Sequence, residues 1–124
     1  MYKEFLVVFL GGGVGSCLRY AISSWLNPLS SFLPFGTLSA NALACFILGI
    51  MAYLFQHKLL HSELLRLFIM VGVCGGFSTF STFSSELWSF WKNEQWLNLL
   101  TYMSMSLLLC HSFLLLGMFV AKNL

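Results

Sequence analysis

Charge is what this sequence is shortest of. Lysine and arginine number 6 and acidic residues 4 among 124, so charged side chains make up only 8% of the chain. A soluble domain carries roughly a quarter of its residues as charge to cover its surface. With 59% hydrophobic residues and a mean hydropathy of +0.86, this chain has no wettable exterior, and lipid is the solvent that suits it. The two prolines, Pro28 and Pro34, lie close together and punctuate one connection only. Cys17, Cys45, Cys74 and Cys110 include no C-x-x-C pair, fall one to each apolar stretch, and read as small packing residues. Nucleic acid is not an expected partner.

What is present divides into four apolar stretches, Phe5–Leu26, Gly36–Phe55, Arg66–Phe90 and Trp96–Val120. Each reaches the roughly 20 residues that carry a helix across a bilayer core of about 30 Å. Barrel strands would be about half as long and would alternate polar with apolar residues. Helices are the reading that satisfies the backbone in lipid. Asn27-Pro28 closes the first span and Pro34 precedes the second, while Gln56–Leu65 and Trp91–Gln95 form short wet loops. Trp25, Trp88, Trp91 and Trp96 fall near span ends, where indole favours the headgroup region. The expectation is an all-α membrane protein, residues 1–124 forming one four-helix domain. The first apolar run is too long for a cleavable signal and extends through Arg19-Tyr20, so it is read as a retained helix. Lys3, Lys58, Arg66 and Lys122 on one side face Lys92 and Arg19 on the other. That weak positive-inside bias leans towards a cytoplasmic N-terminus and also suits a chain inserted both ways.

Three features stand out against the apolar background. Arg19 lies deep in the first span, where an ionisable group is costly. It either snorkels towards Trp25 or sets a positive charge at an aqueous vestibule that concentrates anions. Thr37, Asn41 and Cys45 are spaced four apart and share a face of the second helix. The Asn41 amide is either glue to a neighbouring helix or a donor in a pore. The third span holds Gly75-Gly76 followed by Phe77, Phe80 and Phe83 interleaved with Ser78, Thr79, Ser81, Thr82, Ser84 and Ser85.

The glycine pair weakens the helix and the hydroxyls compete for its backbone, so a break near mid-span is expected. Such a break is tolerated only where it is buried or lines a polar cavity, and its freed carbonyls suit a hard cation such as Na⁺. Phe77, Phe80 and Phe83, every third residue, are expected along one side of the helix. Aromatic rings are electropositive at their edges and can favour a bare anion without a full positive charge. The plain alternative is a Phe-rich packing stripe, which does not explain six hydroxyls. In the fourth span Tyr102 and Ser106 are one turn apart.

Other patterns carry less. Gly11-Gly12-Gly13-Val14-Gly15-Ser16 lacks the Lys-Ser/Thr of a phosphate loop and is better read as tight helix packing. His57 and His61 have no acidic partner for a zinc motif, and Glu86 is taken as ending the third helix, at a pore mouth or merely at the interface. Glu4, Glu63, Glu86 and Glu94 form no catalytic pairing, so an enzyme is not expected.

Gly75-Gly76-Phe77-Ser78-Thr79-Phe80-Ser81-Thr82-Phe83-Ser84-Ser85-Glu86 resembles the signature of the Fluc (CrcB-type) fluoride channels. Gly12-Gly13-x-Gly15-x3-Arg19-Tyr20, Gly36-Thr37-x3-Asn41 and Tyr102-x3-Ser106 resemble that family's motifs in the other helices, in the same order along the chain. The resemblance implies a passive, selective fluoride channel of the bacterial plasma membrane that exports toxic cytoplasmic fluoride. It implies an antiparallel homodimer with two pores and a structural Na⁺ at its centre, held by the backbone carbonyls of Gly75 and Ser78. It places Phe80 and Phe83 on the ion path, with polar contacts from Asn41, Ser81, Thr82, Tyr102 and Ser106, and leaves Phe77 outside the pore. An antiparallel pair supplies an inverted repeat around a two-fold axis in the membrane plane. A small proton-coupled multidrug exporter shares this size and span number but needs an acid deep in its first span, where only Glu4 stands at the edge. A structural membrane subunit would leave the glycine pair and hydroxyl track unexplained.

Overall fold

The computed structural model describes all residues 1–124 and is entirely helical. Helix α1 runs Tyr2–Leu26 and ends in a 3₁₀ turn, Asn27–Leu29, that begins the first connection. Helix α2 runs Phe35–Gln56. The third span is composite: α3 (Glu63–Arg66), a π-helical segment Leu67–Val73, α4 (Cys74–Phe77), two extended residues, and α5 (Phe80–Lys92). Helix α6 runs Trp96–Lys122. Four helical spans are long and apolar enough to cross a bilayer. The helices run past most ends of the apolar stretches because backbone bonding continues through interfacial polar residues.

The connections are secured locally. Asn27 Oδ1 accepts the Gly36 amide at 2.7 Å, tying the end of α1 to the start of α2. Ser62 caps α3 by accepting the Leu65 amide. Lys58 and Glu94 follow the ends of α2 and α5 in the left-handed region, with φ of 54° and 57°. At each, the next residue's amide reaches back five positions, Leu59 to Leu54 O at 2.9 Å and Gln95 to Phe90 O at 2.8 Å. These bonds close the helix ends and offset the roughly 1–2 kcal/mol that αL costs a non-glycine residue. Trp91 and Trp96 meet edge to face across the second of these turns, ring centres 4.8 Å apart.

Glycines set the register of the bundle. A Cβ at Gly15 would meet the Val73 carbonyl, and one at Gly76 the Gly12 carbonyl, so α1 and the third span touch backbone to backbone. A Cβ at Gly49 would meet Leu114 O and one at Gly117 would meet Phe46 O, so α2 and α6 approach as closely. Along α1 the neighbours rise with the chain, Gly11 lying against Phe68 and Gly15 against Val73, and along α2 Leu38 packs with Tyr102 and Phe46 with Phe113, so the first and third spans run parallel, as do the second and fourth. The exterior is apolar: Phe5, Phe9, Leu97, Leu108, Leu115 and Phe119 are all exposed, a surface that suits acyl chains rather than water. The interior is correspondingly small, formed by Leu33, Leu38 and Tyr102 at one level and Ala40, Ala44 and Phe77 at another.

The expected break near mid-span is present and falls at Ser78–Thr79, whose ψ angles are 154° and 117°, just past the Gly75-Gly76 pair, which remains helical. Gly76 serves close packing on Gly12, and hydroxyl and amide partners determine where the helix stops. The shared face of Phe77, Phe80 and Phe83 is corrected: because the chain is extended at the break, Phe77 does not continue the side carrying Phe80 and Phe83. Phe77 is buried against Ala40 and Ala44, whereas Phe80 is 79% exposed.

Candidate functional site: a polar break beside an aromatic cavity

The break is held from outside its own helix. Asn41, on α2, takes both polar atoms of the Thr79 backbone: its Oδ1 accepts the amide at 2.7 Å and its Nδ2 donates to the carbonyl at 3.3 Å. Thr79 Oγ1 caps α5 by accepting the Thr82 amide at 3.1 Å. Ser78 Oγ and its amide both donate to Cys74 O, closing α4. Arg19 reaches across from α1 and donates Nε to Gly76 O at 3.0 Å, replacing an amide that the break removes. In an uninterrupted helix the Thr79 and Thr82 amides would serve Gly75 O and Ser78 O. Here Asn41 and Thr79 side chains take those amides, leaving both carbonyls without a backbone partner.

Beside the break lies a cavity of about 240 Å³. Asn41, Ser78, Phe80, Phe83 and Ser106 line it, together with Thr79. The Ser106 hydroxyl is buried and has no hydrogen-bond partner, although leaving a buried polar group unpaired costs roughly 1–3 kcal/mol. The aromatic series continues inward: Phe80 to Phe83 with centroids 5.8 Å apart, Phe83 to Tyr102 at 5.1 Å, and Tyr102 to Phe90 at 5.9 Å.

Thr37 and Tyr102 meet elsewhere. Both are fully buried, and both donate to Glu86: Thr37 Oγ1 to Oε1 at 2.7 Å, Tyr102 OH to Oε2 at 2.5 Å. Glu86 therefore does not end a helix at the interface but sits within α5, with both oxygens engaged by neighbouring spans. Its partners lie 49 and 16 residues away, so no local pattern signals them. Ser81 is exposed, its hydroxyl 3.2 Å from Thr79 Oγ1, and Thr82 is half-buried; neither lines the cavity of the single chain. Arg19 acts on the break from α1 and Asn41 from α2. The cavity also takes in Cys45, Cys110 and His111, which the sequence did not single out as a group.

Four hydrophobic spans, one interrupted within the membrane beside a cavity with an unpaired hydroxyl, define a multi-pass membrane protein of the channel and transporter class. The family model described as "CrcB-like protein, Camphor Resistance (CrcB)" matches residues 6–118, and the chain belongs to that family. It is similar to proteins named "Fluoride-specific ion channel FluC" from several bacteria. The one from Histophilus somni (strain 2336) is 37% identical over 120 residues, 97% of this chain and 94% of the relative. That from Haemophilus influenzae (strain PittGG) is 39% identical over 121 residues, with the same shares. That from Serratia proteamaculans (strain 568) is 46% identical over 87 residues, 70% of this chain and 68% of the relative.

Proposed function

We propose that the chain is a passive fluoride channel, and not an enzyme, that lets cytoplasmic fluoride leave a bacterial cell across its plasma membrane. The observation that carries the reading is the unpartnered Ser106 hydroxyl, buried in a cavity shared with the Asn41 amide and the rings of Phe80 and Phe83. Fluoride is small, hard and strongly hydrated, so a path through lipid must replace its water. A hydroxyl donor and aromatic edges can do so piecemeal, and no lysine or arginine lines the cavity to hold the ion too tightly for release. Arg19, bonded to Gly76 O, keeps its charge near the break without lining the cavity.

The assembly we infer is an antiparallel homodimer with two pores. Phe80 and Gly75 are exposed in the single chain, and a second copy would supply the wall they lack. The carbonyls of Gly75 and Ser78, deprived of their amides, are the groups that would hold a structural Na⁺ at the dimer centre. There a hard cation offers a charge that carbonyl oxygens match, and it braces the two breaks. In this reading Tyr102 and Thr37 act by fixing Glu86 behind Phe83, and Ser81 and Thr82 face the partner copy. The test is fluoride efflux from liposomes containing purified protein, with uptake of a cationic drug driven by a proton gradient as the opposing outcome.

A further inference from the structure

Two thiols that the channel reading does not use lie in the same cavity. Cys45 on α2 and Cys110 on α6 both line it, and each is half-buried. Their proximity follows from helix register. The two helices run parallel, and one turn beyond the thiols Gly49 packs so closely on α6 that a Cβ would strike Leu114 O. One turn before them, Asn41 and Ser106 face the cavity together. Cys45 and Cys110 thus stand at one level, between a pair in backbone contact and a pair sharing a cavity. No third histidine, cysteine or carboxylate completes a cluster able to hold a metal. His111 also lines the cavity and donates its Nδ1–H to Leu107 O at 3.0 Å, but it forms no three-residue cluster with the thiols.

We propose that Cys45 and Cys110 form a two-coordinate site for a soft, thiophilic cation, and that its occupation closes the ion path. The inference rests on the channel reading for its consequence, not for the site. Two sulfur ligands select soft ions, whereas zinc asks for about four ligands and magnesium or calcium for oxygen. With mercuric ion, two S–H bonds break, two Hg–S bonds form, and two protons leave to bulk water, so the product is neutral and suits an apolar cavity. Fluoride, a hard anion, gains little from a soft metal, so the ion plugs the path beside Phe80 and Phe83 and does not relay fluoride.

The test uses the full chain in liposomes, fluoride efflux read by electrode, and mercuric chloride as the probe, each variant normalised to its own unblocked rate. Wild type, Cys17→Ala and Cys74→Ala should be blocked and then restored by dithiothreitol. Cys45→Ala and Cys110→Ala should each need more mercury by a factor above the roughly 10–100-fold that loss of an outer-shell partner costs. In parallel, the Cys17→Ala/Cys74→Ala double variant in detergent should bind one mercury per chain and lose both remaining thiols to a thiol reagent. Equal block of Cys45→Ala and wild type, or a thiol still reactive after one mercury is bound, overturns the site. If wild-type liposomes release no fluoride, the channel reading fails, while the mercury stoichiometry still decides the site.

Discussion

Removing the Asn41 clamp is the perturbation that separates architecture from conduction. Asn41→Leu keeps the bulk of the side chain and removes both partners of the Thr79 backbone at membrane depth. The bond from the Thr79 amide is short, 2.7 Å, and its loss leaves a donor unpaired at roughly 1–3 kcal/mol. The bond to the Thr79 carbonyl is long, 3.3 Å, and contributes nearer the roughly 0.6 kcal/mol average of polar bonds between membrane helices. The sum is about 1.6–3.6 kcal/mol, dominated by the amide. Asn41→Asp differs in sign: a carboxylate still accepts the Thr79 amide but places a negative charge on the cavity wall and repels the Thr79 carbonyl. Unfolding by increasing dodecyl sulfate in mixed micelles should therefore rank stability as wild type, then Asp, then Leu. Fluoride efflux should be lowest for Asp, below that of Asn41→Ser. Unfolding of Asn41→Leu at the wild-type detergent fraction would refute the clamp, and wild-type efflux from Asn41→Asp would refute the placement of Asn41 on the path.

Phe80→Ile and Phe83→Ile keep an apolar side chain but lose the ring quadrupole, a contribution of roughly 0.5–1.5 kcal/mol, so each should cut efflux about two- to thirteenfold while size-exclusion profiles stay unchanged. Gly75→Val meets nothing within the chain, so helical content should persist while the dimer fraction falls on cross-linking. Gly76→Val should lose the fold itself, because its side chain would strike the Gly12 carbonyl; equal tolerance of both changes would count against the interface and the sodium site. Ser78→Ala should keep that site, since its backbone oxygen remains. Glu86→Gln replaces charge-assisted bonds from Thr37 and Tyr102 with neutral ones and should lower stability by about 1 kcal/mol, read in the same micelle titration.

Much of the fold was legible because lipid reduces it to lengths: stretches of about 20 apolar residues leave few alternatives to four helices. The third-span motif also announced a break, because six hydroxyls and two glycines have no use in a lipid-facing helix. Where it fell was not legible. Gly75-Gly76 permit a departure from the helix but do not require one, and the requirement comes from Asn41, 38 residues away, which offers the Thr79 amide a better partner. The same displacement undid the triplet spacing, since a period of three predicts a shared face only while the helix continues. Arg19 illustrates a third case: its depth flagged it, but both alternatives, snorkelling and a vestibule, overlooked a carbonyl acceptor that exists only because the break does.

The long-range partners of the third span also set an order of assembly. A chain emerging from its N-terminus delivers Arg19 and Asn41 before Gly76 and Thr79 are made, so the broken backbone enters the bilayer with its donors and acceptor already in place. Glu86 is less well provided for. Thr37 precedes it, but Tyr102 follows 16 residues later, so its carboxylate crosses into lipid half-satisfied until the fourth span arrives. A nascent chain halted after Lys92 should thus hold its break but not its glutamate.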